Sequence, residues 1–164
     1  MPPALTVIVA DAGPLIGMTR IGRIGILRSL FQRIVIPAGV EVELRLESSR
    51  PGSNALAEAR DAGWLTTESV SATPAHLLAA VDRGEAEAIT LAKRLSLPLL
   101  IDERWGRTIA GNEGVRTIGT GGVLVRAKEK GSIPKVKPEL NALRQAGYRL
   151  SESLCAEILR LAGE

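Results

Sequence analysis

Apolar positions along the chain come in short runs, and the runs are of two kinds. Leu5–Ala10 (LTVIVA), Arg33–Ile36 and Leu97–Ile101 are short and rich in Leu, Ile and Val, the pattern of strands covered on both faces. Trp64–Val70 alternates enough to be a strand, and Val115–Ile118 is a further short one. The other runs recur with helical spacing: a stretch through Leu15 and Ile16, then Ile24–Leu30, Ala38–Leu46, Ala55–Ala62, Pro74–Val81, Gly84–Leu95, Arg104–Gly111, Gly122–Lys130, Lys137–Ala146 and Ser151–Ala162. Pro14 suits the first turn of a helix, Pro37 closes a strand, Gly63 ends a helix, and Ser48–Asn54 (SSRPGSN) is a loop. Strands alternating with helices predict an α/β chain with three layers, α/β/α, around a central, mostly parallel sheet.

Composition narrows this picture in few places. The 164 residues suit a single domain over 1–164, and 45% hydrophobic content excludes a disordered chain. Aromatics are scarce (Phe31, Trp64, Trp105 and Tyr148), so Leu, Ile, Val and Ala must build the core. No apolar run reaches the roughly 20 residues of a membrane helix, and the N-terminus lacks the basic start of a signal peptide, so a cytoplasmic protein with no membrane partner is expected. The single cysteine, Cys155, excludes an internal disulfide and a Cys-cluster metal site; a buried small hydrophobe is its ordinary role. A net charge of +3 is compatible with a nucleic-acid partner without requiring one.

The candidate chemistry lies in the acids. Asp11 ends the first strand, Glu43 sits in VEVEL on a helix, Glu85 and Glu87 sit in DRGEAEAI, and Asp102-Glu103 follow LPLLI. In open α/β sheets, sites form beyond the carboxyl ends of the strands, where two of these strands deliver a carboxylate. Each acid alone has an ordinary explanation: Asp11 or Asp102 as a helix cap, Glu85 and Glu87 as first-turn acids favoured by the macrodipole, Glu43 as part of a wet face. Glu85 and Glu87 stand about 200° apart around a helix, so one site takes one of them, and Glu85, nearer the break at Asp82-Arg83-Gly84, is the candidate. Carboxylates that converge repel unless a divalent cation lies between them, and an all-oxygen donor set suits Mg²⁺ or Mn²⁺. Such an ion activates water and stabilises charge on a phosphate. His76, on a helix, has the pattern of a surface or half-buried residue.

At these residues the chain resembles the PIN-domain family, and within it the short bacterial and archaeal PIN-like proteins related to VapC-type toxins. The matching pieces are VIVADAGPLI, VIPAGVEVEL, VDRGEAEAITLAKRLSLPLLIDERWGRTIA and VRTIGTGGVLVRAKEKG, in the family's order over about residues 5–131, with C-terminal helices over about 137–162. The resemblance implies an acidic pocket that binds Mg²⁺ or Mn²⁺ and hydrolyses single-stranded RNA. It assigns catalytic roles to Asp11, Glu43, Glu85 and Asp102, and metal contacts to Asp11, Glu85, Asp102 and Glu103. The last of these is often Asp in such proteins and is Glu here. Arg104 and Arg107, three apart on one helix, are candidates for the RNA backbone; Thr120 in IGTGG could touch a phosphate or a residue that holds the metal, although turn chemistry alone explains that glycine cluster. The resemblance further implies a homodimer and a small antitoxin protein as partner; the alternative is a catalytically weak PIN-like module that binds RNA or protein.

Other phosphoryl-transfer classes fit less well. Haloacid-dehalogenase-like phosphatases place a second Asp two residues after the first, where this chain has Gly13; receiver domains want an acidic pair before the first site and a late Lys; no P-loop is present. The basic run Lys128, Lys130, Lys135 and Lys137 could steer RNA, although a solvated face is the commoner meaning. The last helix should turn Leu154, Ile158 and Leu161 to one side, and Leu15, Ile16, Ile21, Ile24, Leu27 and Leu30 should pack in the core or at a dimer interface.

Overall fold

The computed structural model describes residues 7–46 and 53–164, with the side chains of residues 45, 46 and 53 left aside. In chain order its elements are β1 (Val7–Ala10), α1 (Ala12–Arg20), α2 (Ile24–Leu30), β2 (Arg33–Pro37), α3 (Ala38–Leu46), α4 (Ser53–Asp61), β3 (Leu65–Glu68), α5 (Ala75–Ala80), α6 (Arg83–Leu95), β4 (Leu99–Leu100), α7 (Arg104–Asn112), β5 (Thr117–Ile118), α8 (Thr120–Lys130), α9 (Lys137–Gln145) and α10 (Glu152–Leu161). Every strand pairing is parallel, in the order β3-β2-β1-β4-β5, so the sheet is wholly rather than mostly parallel. With helices above and below, this is the three-layer α/β/α arrangement.

The continuous apolar runs become inner strands because both their faces are covered. Ile8, Val9, Ala10, Leu99, Leu100 and Ile101 are wholly buried. β1 lies at the centre: the chain steps outward to β2 and β3, then returns across the sheet through α6, which packs on β1 and β2, to lay down β4 on the other side. The order therefore switches direction between β1 and β4, where a parallel sheet leaves a crevice at its carboxyl end. α6 is made for its long crossing. Asp82 and Glu85 form a reciprocal capping box at its start, and Ser96 closes it in a left-handed conformation.

Element boundaries differ from the sequence pattern in instructive ways. The strands expected over Trp64–Val70, Leu97–Ile101 and Val115–Ile118 are shorter, because only part of each run pairs. Leu5 and Thr6, and the expected loop as far as Gly52, lie outside the described residues; at its far end Ser53 and Asn54 already belong to α4. The Gly121-Gly122 pair is not a turn but the first turn of α8. Close approach explains it: a β-carbon on Gly121 would lie 2.5 Å from Ile158 Cγ1, and one on Gly122 2.9 Å from Ile118 Cγ1. That notch also decides which side of α10 faces inward. Ile158 is 4% exposed and Cys155 8%, whereas Leu154 (45%) and Leu161 (57%), at the same helical spacing as Ile158, face outward.

Ile158 is thus the peg that seats α10 on α8. Ile158→Ala should cost about 3 kcal/mol and lower the Tm by roughly 10 °C in a chain of this size. Thermal unfolding followed by circular dichroism measures this; an unchanged Tm contradicts the docking.

Candidate active site

Asp11 is the first residue past β1 and stands at the N-cap of α1, yet its side chain makes no capping bond. Its amide donates to Leu100 O of β4 (2.9 Å), so the ladder itself draws the ends of β1 and β4 together. The side chain is 8% exposed. Burial, first, and then the charges of Glu43, Asp82 and Asp102 push its pKa up to about 7, against a lowering effect of the Ala12 amide. Glu85, in the first turn of α6, is likewise pushed to about 7 by burial, then by Asp82, Asp11 and Glu103, with the Asp82 amide opposing. Glu43, on α3, is raised by burial and by Asp82 and Glu85. Asp11, Glu43, Glu85 and Asp102 thus share one electrostatic pocket, joined by Asp82, which the sequence analysis left unassigned. The sequence signal for Asp82 was its place three residues before Glu85, the spacing of a capping box. Glu87 points elsewhere, accepting from Gly39 N (3.3 Å) and Arg83 Nε (3.0 Å).

Asp102, immediately beyond β4, is held by three donors. Its Oδ1 accepts from Thr120 N (2.7 Å), and its Oδ2 from the hydroxyls of Thr120 and Tyr148. A carboxylate has about four lone-pair positions, so roughly one remains for anything else. Thr120 is 1% exposed and spends both its donors on this acid. Of the two contacts expected of Thr120, a phosphate or a residue that would hold the metal, the structure shows bonds to Asp102, of the second kind.

Tyr148 is a site residue that the sequence did not point to. It follows Gly147, whose φ of +87° turns the chain back after α9, and its amide bonds Leu143 O (2.9 Å). The ring lies against α1 where Gly17 leaves room, since a β-carbon there would come within 2.8 Å of Cε2. A contact to Asp102 across 46 residues has no local pattern to betray it.

Glu103 is the N-cap of α7, accepting from Trp105 N (3.1 Å) and Gly106 N (2.5 Å), so its carboxylate is engaged by its own helix while its charge still raises Glu85. With Glu85 in the capping box and Asp102 on Thr120 and Tyr148, the four expected ligands do not close into a cage. Among the described residues, no three Asp, Glu, His or Cys side chains are grouped to hold a metal ion. The donors fit a hard cation all the same. They are oxygens, and two of them are buried among like charges that a cation would relieve. Mg²⁺ in particular takes one or two carboxylates and keeps water on its other positions.

Arg104 and Arg107 are exposed on α7. Arg107 reaches the pocket: a β-carbon on Gly119 would lie 2.7 Å from Arg107 Nη1 and 2.9 Å from Asp102 Oδ1. The indole of Trp105 is 54% exposed, its Nε1 donating to Ala80 O (2.9 Å). His76 pairs with Glu113 on the surface (2.6 Å), away from the acids. Two lysines of the basic run are engaged structurally, Lys128 with Ala162 O (2.7 Å) and Glu164 (3.1 Å), and Lys130 with Ser29 O.

Comparison with known proteins accords with this layout. Residues 7–164 match the family model DUF3368, described as a PIN domain. Among solved structures the chain is similar to a PilT N-terminus domain protein from the hyperthermophilic archaeon Sulfolobus solfataricus P2, with 20% identity and a TM-score of 0.54 over 74% of this chain and 93% of that one. None of the curated proteins compared with the chain matches it.

Two outcomes follow from the electrostatics. Asp11 and Glu85 bind protons more tightly folded than unfolded, so without metal the stability should fall as pH rises from about 4 through about 7. For Asp11 alone the loss is on the order of 3 kcal/mol. Urea midpoints in EDTA at pH 5 and pH 8 measure it, and Asp11→Asn should flatten the decline; a wild-type protein more stable at pH 8 contradicts the buried cluster. Burial, then the charge of Asp102 and the bond to it, raise the pKa of Tyr148 above its ordinary value near 10. As the chain's one tyrosine, its phenolate absorbance should stay absent until alkaline unfolding, and Asp102→Asn should bring it to lower pH.

Proposed function

The chain belongs to the PIN-domain family, whose members are generally nucleases, and we propose that it is a divalent-metal-dependent endoribonuclease that cuts single-stranded RNA. The observation that carries this is the cluster of buried carboxylates at the switch point of the sheet, with two acids raised to about 7 by burial and by neighbouring carboxylates. A fold alone hosts many chemistries; a costly concentration of like charge at the one place where a parallel sheet opens a crevice points to the site that uses it.

In this proposal Asp11, Glu85 and Asp102 hold Mg²⁺ or Mn²⁺, with Glu43 and Asp82 adding negative potential from the facing helices. The ion supplies an activated water and neutralises charge on the scissile phosphate. Thr120 and Tyr148 fix the Asp102 carboxylate so that its remaining lone pair faces the pocket. Arg104 and Arg107 stand beside it to balance the phosphate backbone. The finer parts of the proposal are that the protein is the toxin of a toxin–antitoxin pair, restrained by a small antitoxin protein, and that it works as a homodimer. A second function, a PIN-like module that binds RNA or protein and cuts poorly, is favoured by the position of Glu103 on its own helix amides.

The test is incubation of the purified protein with end-labelled single-stranded RNA and Mn²⁺, with EDTA and Asp11→Asn as controls. Cleavage is expected to stop in EDTA and to fall by about 100-fold or more in the variant. Cleavage that survives both controls rejects this site; an absence of cleavage across diverse RNAs selects the binding module.

A further inference from the structure

A cavity of about 830 Å³ opens from Asp102 away from the other acids. Its walls come from α7, from the chain between α9 and α10 and from the first turn of α10, and include Arg104, Arg107, Arg149, Ser151 and Leu154. All five are exposed. Among the described residues, the guanidinium groups of Arg104, Arg107 and Arg149 have neither an ion pair nor a hydrogen bond, unlike Arg23, Arg83, Arg94 and Arg160, which are paired with carboxylates. The one carboxylate among the wall's described residues, Asp102, is outnumbered by three cations, so the hollow carries net positive charge and favours an anion. Leu154 gives the same hollow an apolar wall, which accounts for its outward position on α10.

We propose that this hollow is the channel for the sugar-phosphate backbone of the single-stranded substrate, and that Arg149 is a phosphate-binding residue in it. The proposal rests on the nuclease function argued above and adds the direction of the strand: from the acid pocket, across Arg107 and Arg104, to the start of α10. Arg149 is the residue next to Tyr148. One short connection thus supplies the hydroxyl that fixes Asp102 and a cation for a phosphate beyond the one at the acids. A chain of phosphates suits this arrangement better than one small anion does, because the three guanidinium groups come from two separate elements around a hollow of about 830 Å³.

Binding can be read apart from cleavage. The anisotropy of a fluorescein-labelled single-stranded RNA oligonucleotide is followed in EDTA at several salt concentrations. Arg149→Ala should raise the Kd about 5-fold or more and reduce the slope of log K against log salt by about 0.7, the value for one lost phosphate contact on a single strand. Arg149→Lys should keep most of the slope, and Arg116→Ala, an exposed arginine outside the hollow, should change neither quantity. The channel is overturned if Arg149→Ala binds with the wild-type Kd and slope, if Arg116→Ala does equal damage, or if the wild-type protein shows no salt-dependent affinity for the oligonucleotide. Wild-type binding with these variant effects but no cleavage in Mn²⁺ supports the channel and removes only the nuclease function. Cleavage with an indifferent Arg149 removes only the channel.

Discussion

Repulsion among carboxylates at the open end of the sheet is the constraint around which this molecule is arranged. Bringing Asp11 beside Glu43, Asp82, Glu85 and Asp102 in a poorly hydrated pocket costs free energy, which is why burial and neighbouring charge hold protons on Asp11 and Glu85 at pH values where an ordinary carboxyl has lost them. The parallel ladder supplies the restraint. Asp11 N is bonded to Leu100 O, so the ends of β1 and β4 cannot drift apart without breaking the sheet. The helix starts supply the rest: α6 and α7 each spend an acid on their own amides, and α8 presents Thr120 to a third. The acids are thereby divided between those that stabilise local structure and those left to face the pocket.

That division sets how much could be seen in the sequence. Buried parallel strands announce themselves as unbroken apolar runs, so the sheet, and the acids ending β1 and β4, follow from local pattern and from the rule that such sheets bind at their carboxyl ends. Glu85 could be separated from Glu87 by helical geometry alone. Glu103 could not be separated from Asp102, because adjacent acids after a strand look alike until backbone dihedrals decide which one caps the helix. Thr120 looked like a turn residue since two glycines follow it; those glycines serve close packing inside a helix, a tertiary cause invisible in a window of sequence. Which side of α10 faces inward has the same kind of cause, the notch that Gly121 leaves for Ile158. Tyr148 and Arg149 belong to a contact class with no sequence signature, side chains delivered from the far end of the chain to a site built near its beginning.

Charge is also segregated by position. The acids occupy the carboxyl end of the sheet between α3 and α6, while unpaired guanidinium groups line the neighbouring hollow bounded by α7 and α10. Asp102 lies on the border and belongs to both. A polyanion approaching the protein meets attraction on one side of that border and repulsion on the other, and a divalent cation meets the reverse. A net charge of +3, summed over the whole chain, conveys none of this.

One of the two hydroxyls that steady Asp102 comes from a residue thirty positions beyond the last strand, Ile118 against Tyr148. On a ribosome, therefore, a nascent chain can pair all five strands while this anchor is still unmade. The sheet matures before its crevice does, and the acidic end of the molecule is completed only as the closing helices emerge.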